Sequence, residues 1–435
     1  MAPPIGHLPA APEAAGFAAS KAHGQARALG RLGELESLIA SAGPAYLVGS
    51  GTWPREGLAA DQDYVTASAP DELAPMLARR MGGRAVLMDA ERRHWRVVAP
   101  RLPVVDLAPM AGGDISRDLA LRDFTINAIA AMLPSRRPVL DPFRGLPDFR
   151  YGLIRQVSSQ ALSADPLRVL RGLRLVSEHG FVIEAKTLQA MCRAAPGLGG
   201  VKPERIRAEV LRALEAPGWK GVAMEALRLR VWTALPIRPP LDPSAPRLAA
   251  FLQQLSSLEP LVRQAARRLS GVLGLSDDRA RAVAVLAALF RASDREVRDA
   301  RPGETLRLSA READALVSVA ATSQTVPGLD PACRGRVYDL VEQHGAAAAW
   351  GAGLAGARAV LEAMLELRLP EVAQLPDGRQ LAAALARPPG PWLGPLIARL
   401  RRAVATGQIR PSEAIGVAAE WIEDNTAQGS ASNED

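Results

Sequence analysis

Residues 46–65 read YLVGSGTWPREGLAADQDYV. Tyr46-Leu47-Val48 is a short apolar run and Gly49-Ser50-Gly51 breaks it. Asp61-Gln62-Asp63-Tyr64-Val65 then resumes with its odd and even residues on opposite faces. The pattern predicts strand, turn and strand. Side chains two apart on a strand share a face, so Asp61 and Asp63 converge. Converging carboxylates repel unless a cation lies between them. Hard oxygen donors of this kind suit Mg²⁺, which also takes oxygens from substrate phosphates. A Gly49-Ser50 turn behind a strand lets backbone N–H groups come close to a triphosphate. An Asp-x-Asp alone reads equally as two solvated strand acids. Joined to the Gly-Ser turn, it couples a phosphate grip to a metal grip.

On the N-terminal side, residues 24–42 carry Leu29, Leu32, Leu35 and Leu38 at helical spacing and stop at Gly43-Pro44. On the C-terminal side, a helical pattern over 71–81 precedes three strand patterns, at Arg84–Met88, Trp95–Ala99 and Val104–Leu107. Asp106, on the last of these, offers a third carboxylate. A two-metal site needs such a trio to clamp the attacking and leaving oxygens. Residues 1–135 therefore read as a mixed α/β unit. From about 150 to 425 amphipathic helical patterns dominate, broken by proline-rich joints at 236–246 and 387–391. Ala284–Phe290 reads as a buried piece of helix. The expected fold is α+β, a mixed head followed by an all-helical remainder. Residues 1–22 and 428–435 are expected to be disordered.

Composition narrows the partners. The net charge is +7 and the lysines are only Lys21, Lys186, Lys202 and Lys220, so arginine carries the positive charge. A basic balance favours an anionic partner such as nucleic acid, although an Ala- and Arg-rich chain also fits a coding bias. Cys192 and Cys333 form no CxxC and suggest no disulfide framework, which fits a reducing cytoplasm. No apolar run suits a signal peptide or a membrane span. No Walker motif, zinc cluster or Ser/His/Asp set stands out, and no protein partner is inferred.

Five stretches, in order, carry a family resemblance. Gly49-Ser50 to Asp61-Gln62-Asp63 resembles the signature of the polymerase-β nucleotidyltransferase superfamily. Residues 121–130, LRDFTINAIA, are similar to the RRDFTINA block of its class II branch, the tRNA CCA-adding enzymes and bacterial poly(A) polymerases. Residues 141–155, DPFRGLPDFRYGLIR, resemble the head–neck junction of that branch. Residues 164–181, ADPLRVLRGLRLVSEHGF, resemble its nucleobase-reading helix, and 202–214, KPERIRAEVLRAL, its ERI block. The resemblance covers about 45–235. It implies a nucleotidyltransferase head over 23–140, a helical neck over 141–235 and a tRNA-binding body and tail over 236–427.

The resemblance also implies roles. Asp61, Asp63 and Asp106 would be the catalytic carboxylates and the Mg²⁺ ligands, with Gly49 and Ser50 at the triphosphate. Arg122, Asp123 and Asn127 would contact nucleotide phosphate and ribose, since arginine gives charge-assisted bonds to phosphate and aspartate accepts from a ribose hydroxyl. Asp123 also reads as the cap of an opening helix. Asp165 and Arg168 would imitate a Watson–Crick edge, and the same pair reads as an N-cap, with Pro166 opening the helix and Gly180 stopping it. Arg171 and Arg174 continue a basic stripe that faces triphosphate, RNA or solvent. Two positions depart from the family. Thr52-Trp53-Pro54, followed by Arg55-Glu56, stands where an Arg-Asp pair is usual, and Ala164 replaces a glutamate that orients the template arginine. The expected reaction is addition of CMP or AMP from CTP or ATP to the tRNA 3′ end. The rivals are a poly(A) polymerase and a degenerate tRNA-binding homologue. Family members that add both C and A share a flexible stretch between Asp-x-Asp and RDFTINA. Here that interval is compact, which raises CC or A addition alone as an alternative, while full CCA addition remains the default expectation.

Overall fold

The computed structural model describes residues 18–54, 61–137, 139–237, 240–269 and 275–431. Arg55, Glu56 and most of the expected disordered ends lie outside them. Residues 18–22, expected to be disordered, open the first helix, and the last helix, Ala414–Ala431, runs past 428. The chain divides into two compact units: residues 1–165 with 181–190, and residues 166–180 with 191–435.

The first unit begins with α1 (Ala18–Ser41), β1 (Ala45–Val48) and β2 (Asp61–Thr66). It continues through α2 (Pro70–Met81), β3 (Arg84–Asp89), β4 (His94–Val98), β5 (Val104–Pro109), α3 (Ile115–Ala120), β6 (Ala130–Met132) and β7 (Val139–Leu140). The strands form one sheet in the order β3-β4-β5-β2-β1-β6-β7. β2 and β5 run parallel, and the other neighbours are antiparallel. Period-two alternation decides what each face carries. Leu47, Tyr64, Val97, Val105 and Leu107 point to one face and pack with Leu32, Leu35 and Ile39 of α1 and Leu73, Leu77 and Met81 of α2. Val48 and Val65 point to the other, against Ile115 and Leu119 of α3. Asp61, Asp63, Arg96 and Asp106 therefore share this second face.

The helical face also holds β2 in place through a buried charge. Glu36 of α1 is 3% exposed. It accepts from the Tyr64 hydroxyl at 2.7 Å and from Arg136 at 2.7 Å, and Arg136 also reaches Gln62 Oε1 at 3.3 Å. Burial, and then the Glu36 charge, push the Tyr64 phenol well above its usual range. It remains a donor to the carboxylate that a buried position would otherwise penalise.

After β7 come α4 (Gly145–Arg150) and β8 (Leu153–Ile154), which pairs in parallel with β9 (Val182–Ile183). Both strands belong to the first unit, so part of the stretch expected as neck folds with the head. α5 (Ala161–Ala164), α6 (Leu167–His179), α7 (Ala185–Ala194), α8 (Pro203–Glu215) and α9 (Trp219–Arg228) follow. In the second unit the helix Asp277–Ala292 has every residue from Ala282 to Phe290 buried. Arg281, 5% exposed, joins it to Glu259 of the helix Ala245–Arg268 at 2.8 Å and also pairs with Asp278 of its own helix at 2.9 Å. A separate apolar cluster near the C-terminus gathers Leu381, Leu396, Leu400, Ala414 and Ala418. Among the described residues no helix is long and apolar enough to cross a membrane.

Candidate active site

The turn after β1 is the first part of the site. Gly49 has φ +64°, a conformation open to glycine at no steric cost. A 3₁₀ turn spans Gly49–Thr52, and the Thr52 hydroxyl donates to the Gly49 carbonyl at 2.8 Å. A Cβ added at Gly49 would lie 3.3 Å from Asp63 Oδ2 and 3.8 Å from an Arg122 terminal nitrogen. Three residues from separate stretches of sequence therefore meet here. The register explains it: Val48 is opposite Asp63 on β2 and opposite Ala130 on β6.

The carboxylates line up across the strands. Asp61 is exposed and Asp63 half-buried. Asp63 pairs in register with Asp106, and Asp106 with Arg96 on β4. Arg96 grips Asp106 with two parallel bonds, Nε to Oδ1 and a terminal nitrogen to Oδ2, both 2.8 Å. His94 Nε2 stands 3.8 Å from the same carboxylate. The Asp106 bond, opposed by burial and aided by the charges of Asp106, Asp61 and Asp63, pushes the Arg96 guanidinium above its usual range. Among the described residues no group of three or more His, Cys, Asp or Glu side chains is close enough to hold a metal ion. The expected metal-binding trio is thus aligned on one face but not closed into a cage, because both oxygens of Asp106 face a guanidinium. Sequence reasoning missed Arg96. Its signal was the alternation in His94-Trp95-Arg96-Val97, where the two apolar residues must face the core.

The LRDFTINA stretch corrects one expectation. No α-helix opens at Asp123; Thr125–Asn127 is a single 3₁₀ turn that leads into β6. Asp123 Oδ1 accepts from the Phe124 N–H at 2.8 Å and from the Asn127 amide at 3.0 Å, and both polar residues are buried. The pair fixes the turn. Arg122 is aimed by Asp118, whose Oδ1 accepts from it at 3.1 and 2.9 Å. Asp118 is itself buried, and its Oδ2 accepts from the Ala111 N–H at 3.3 Å.

The expected base-reading residues fall in different units. Asp165 ends the first unit in an extended conformation, and Pro166 after it already has helical dihedrals, φ −58° and ψ −22°, the backbone pattern expected of a cap followed by proline. Proline-fixed φ already starts the helix there. Gly180, at φ +70°, ends it. Arg168 and Arg171 are half-buried on α6. Arg174 departs from the expected basic stripe. It binds Glu209 and Glu178, both at 2.7 Å, with 12% of its side chain exposed. That ion network engages the guanidinium inside the helical unit. Ala164 is exposed at the end of α5.

Trp53, one of the departures, is a core residue. It is 6% exposed, and its Nε1 donates to the Ile126 carbonyl at 2.6 Å. Its ring centroid lies 5.1 Å from that of Phe149 and 6.1 Å from that of Phe181, which are 5.8 Å from each other at 88°. The Gly49–Thr52 turn is thereby tied to α4 and to the segment leading into β9. Trp53→Ala is expected to lower head stability by about 3–5 kcal/mol, read as a thermal melt by circular dichroism. A melt unchanged from the parent would show that the aromatic cluster carries no such weight.

Known proteins resemble this chain in sequence and in fold. Residues 93–155 match the poly A polymerase head domain, and 180–229 match a probable RNA- and SrmB-binding site of polymerase A. A CC-adding tRNA nucleotidyltransferase of Geobacter sulfurreducens is 42% identical over 193 residues, covering 42% of this chain and 44% of the relative. An A-adding tRNA nucleotidyltransferase of Deinococcus radiodurans is 38% identical over 194 residues, again 42% and 44% of the two chains. The matches thus span less than half the length of these relatives. A CCA-adding enzyme solved with CTP superposes with TM-score 0.69 at 21% identity, over 90% of this chain and 93% of that one. The Thermotoga maritima CCA-adding enzyme complexed with tRNA gives 0.68 at 21%, over 91% and 96%. The chain has the fold of the CCA-adding enzymes, and its N-terminal half resembles the class II tRNA nucleotidyltransferases and poly(A) polymerases.

Proposed function

We propose that this chain transfers CMP from CTP to the 3′ end of tRNA, building the CC of the CCA end without a nucleic-acid template. The observation that carries the choice of CC is the link between β5 and α3, which is only Met110–Asp114. A link this short leaves no room for the mobile stretch expected of enzymes that switch from C to A. The CC-adding name of the Geobacter relative supports the same reading.

In the reaction the RNA 3′-hydroxyl attacks the α-phosphate of CTP. A P–O bond forms, the bond to pyrophosphate breaks, and the hydroxyl proton is taken up by the carboxylate face. Asp61 and Asp63 are the hard oxygen donors that would hold Mg²⁺, with Asp106 one strand away. When bound, the ion offsets charge on the α-phosphate and on departing pyrophosphate. The Gly49 turn makes room for the triphosphate beside Asp63, and Arg122, held by Asp118, offers it a fixed positive charge. Arg168, with Asp165 three residues before it, supplies donors and an acceptor of the kind that read a base edge. The basic helical unit would grip tRNA through phosphates and by shape. The two unpaired cysteines accord with a cytoplasmic reaction.

The test offers the purified protein tRNA ending at the discriminator base, at C or at CC, with CTP and ATP together, and sequences the products. CC ends that stop there are the expected result. Complete CCA from the shortest substrate would replace this reading with full CCA addition, and A added only to CC ends would mark an A-adding enzyme. Long A tracts would mark a poly(A) polymerase, and tRNA binding without incorporation a degenerate homologue.

A further inference from the structure

We propose that Arg96 is a positioning residue of the metal-binding face: a permanent cation that holds Asp106 in line with Asp63 and competes with the divalent ion for the same carboxylate. The inference rests on the reading that Asp61 and Asp63 hold such an ion.

Arg96, Asp106 and Asp63 occupy one row across β4, β5 and β2. Neighbouring strands lie about 4.8 Å apart, so guanidinium and carboxylates stand side by side. Both 2.8 Å bonds reach one carboxylate whose side chain is only 9% exposed. A guanidinium does not lose its proton in a protein, so its charge persists at any working pH. It relieves the repulsion among three acids on one face, the task otherwise left to a metal ion. The same grip makes Asp106 a poor ligand, because an incoming ion must displace a charge-assisted bond. Asp106 joins when nucleotide and ion together outweigh the Arg96 bonds. A sheet-stapling role alone would predict otherwise. Trp95 and Val97 already anchor β4 in the core, and the strand pairs on both sides, so Arg96 is not required to place the strand.

The full-length protein and its Arg96→Met variant are titrated with Mn²⁺ in the absence of nucleotide, free Mn²⁺ being read by electron paramagnetic resonance. Asp63→Ala is run beside them, and melts are recorded with EDTA and with Mn²⁺. Arg96→Met is expected to bind Mn²⁺ about tenfold more tightly, the equivalent of losing one competing charged bond. Its melting temperature should rise with Mn²⁺ more than that of the parent. Unchanged affinity in folded Arg96→Met, while Asp63→Ala loses the ion, overturns the role of Arg96 alone. Binding that also survives Asp63→Ala overturns the metal reading and the inference with it. If Arg96→Met does not fold, Arg96→Lys carries the test. It keeps the charge but not the fork, so a few-fold tightening is expected and no change overturns the proposal.

Discussion

Asp63→Ala is expected to lower CMP incorporation by roughly a thousandfold or more while its melt stays close to that of the parent. The size follows from what is lost: stabilisation of phosphoryl charge worth several kcal/mol, at about 1.4 kcal/mol per factor of ten. Stability is spared for a separate reason. Asp63 is half-buried on the open face, where it faces Asp106 across the β2–β5 pair, and removing one of two facing carboxylates relieves repulsion. The measurement is labelled CTP incorporation into tRNA lacking its CCA end, beside a circular dichroism melt and a tRNA-binding titration. Undiminished incorporation by the folded variant would remove Asp63 from the reaction.

Gly145→Ala acts through the fold. A Cβ at Gly145 would stand 2.0 Å from the Thr125 carbonyl oxygen, 2.7 Å from its carbon and 2.9 Å from Ile129 Cγ1. Nothing nearby yields cheaply. The Thr125 hydroxyl donates to Asp148 at 2.7 Å, its N–H donates to the Arg155 carbonyl at 2.8 Å, and the Gly145 N–H donates to Asp141 at 2.6 Å. Arg155 also holds Asp148 at 3.0 Å and pairs with Glu184. Backbone must therefore shift against backbone, a cost of about 3 kcal/mol or more. At roughly 2–4 °C per kcal/mol, the head should melt about 10 °C earlier. Incorporation should fall with it, since Thr125 leads directly to Asn127 and β6. A melt within a degree or two of the parent would show that α4 can slide away from the turn.

The parts of the head visible in sequence were those whose signal is local. β1 declares itself as a short apolar run and β2 to β5 by their strand patterns, and Gly43-Pro44 stops the helix before them. The carboxylate face followed from the same alternation at Asp61 and Asp63. What stayed hidden depends on long-range pairing. β6 is three residues long, too short to show a period, and exists because β1 offers it an edge. Asp123 looked like a helix cap because an acid before an apolar run usually is one, yet its carboxylate closes a 3₁₀ turn onto Asn127. Trp53 occupies a position expected to hold charge and instead seals an aromatic core. Arg174 looked like part of a basic stripe because Glu209, its partner, lies on another helix. The proposed function rests on motifs that are short and ordered, and the fold comparison agrees with the architecture they imply.

The parallel pairing of β2 with β5 also constrains how the molecule comes into being. α2, β3 and β4 all intervene between the two strands, so Asp63 meets Asp106 only after a long segment of chain has closed. Loop closure costs entropy before any contact repays it, and such non-local pairing slows folding. During synthesis β1 emerges early but gains its second neighbour only when β6 follows. Until then one side of β1 is an unpaired strand edge, a template for association with another chain. A nascent chain halted before Ala130 therefore carries the Asp-x-Asp strand beside an open edge, and it is in this interval that a folding helper has most to protect.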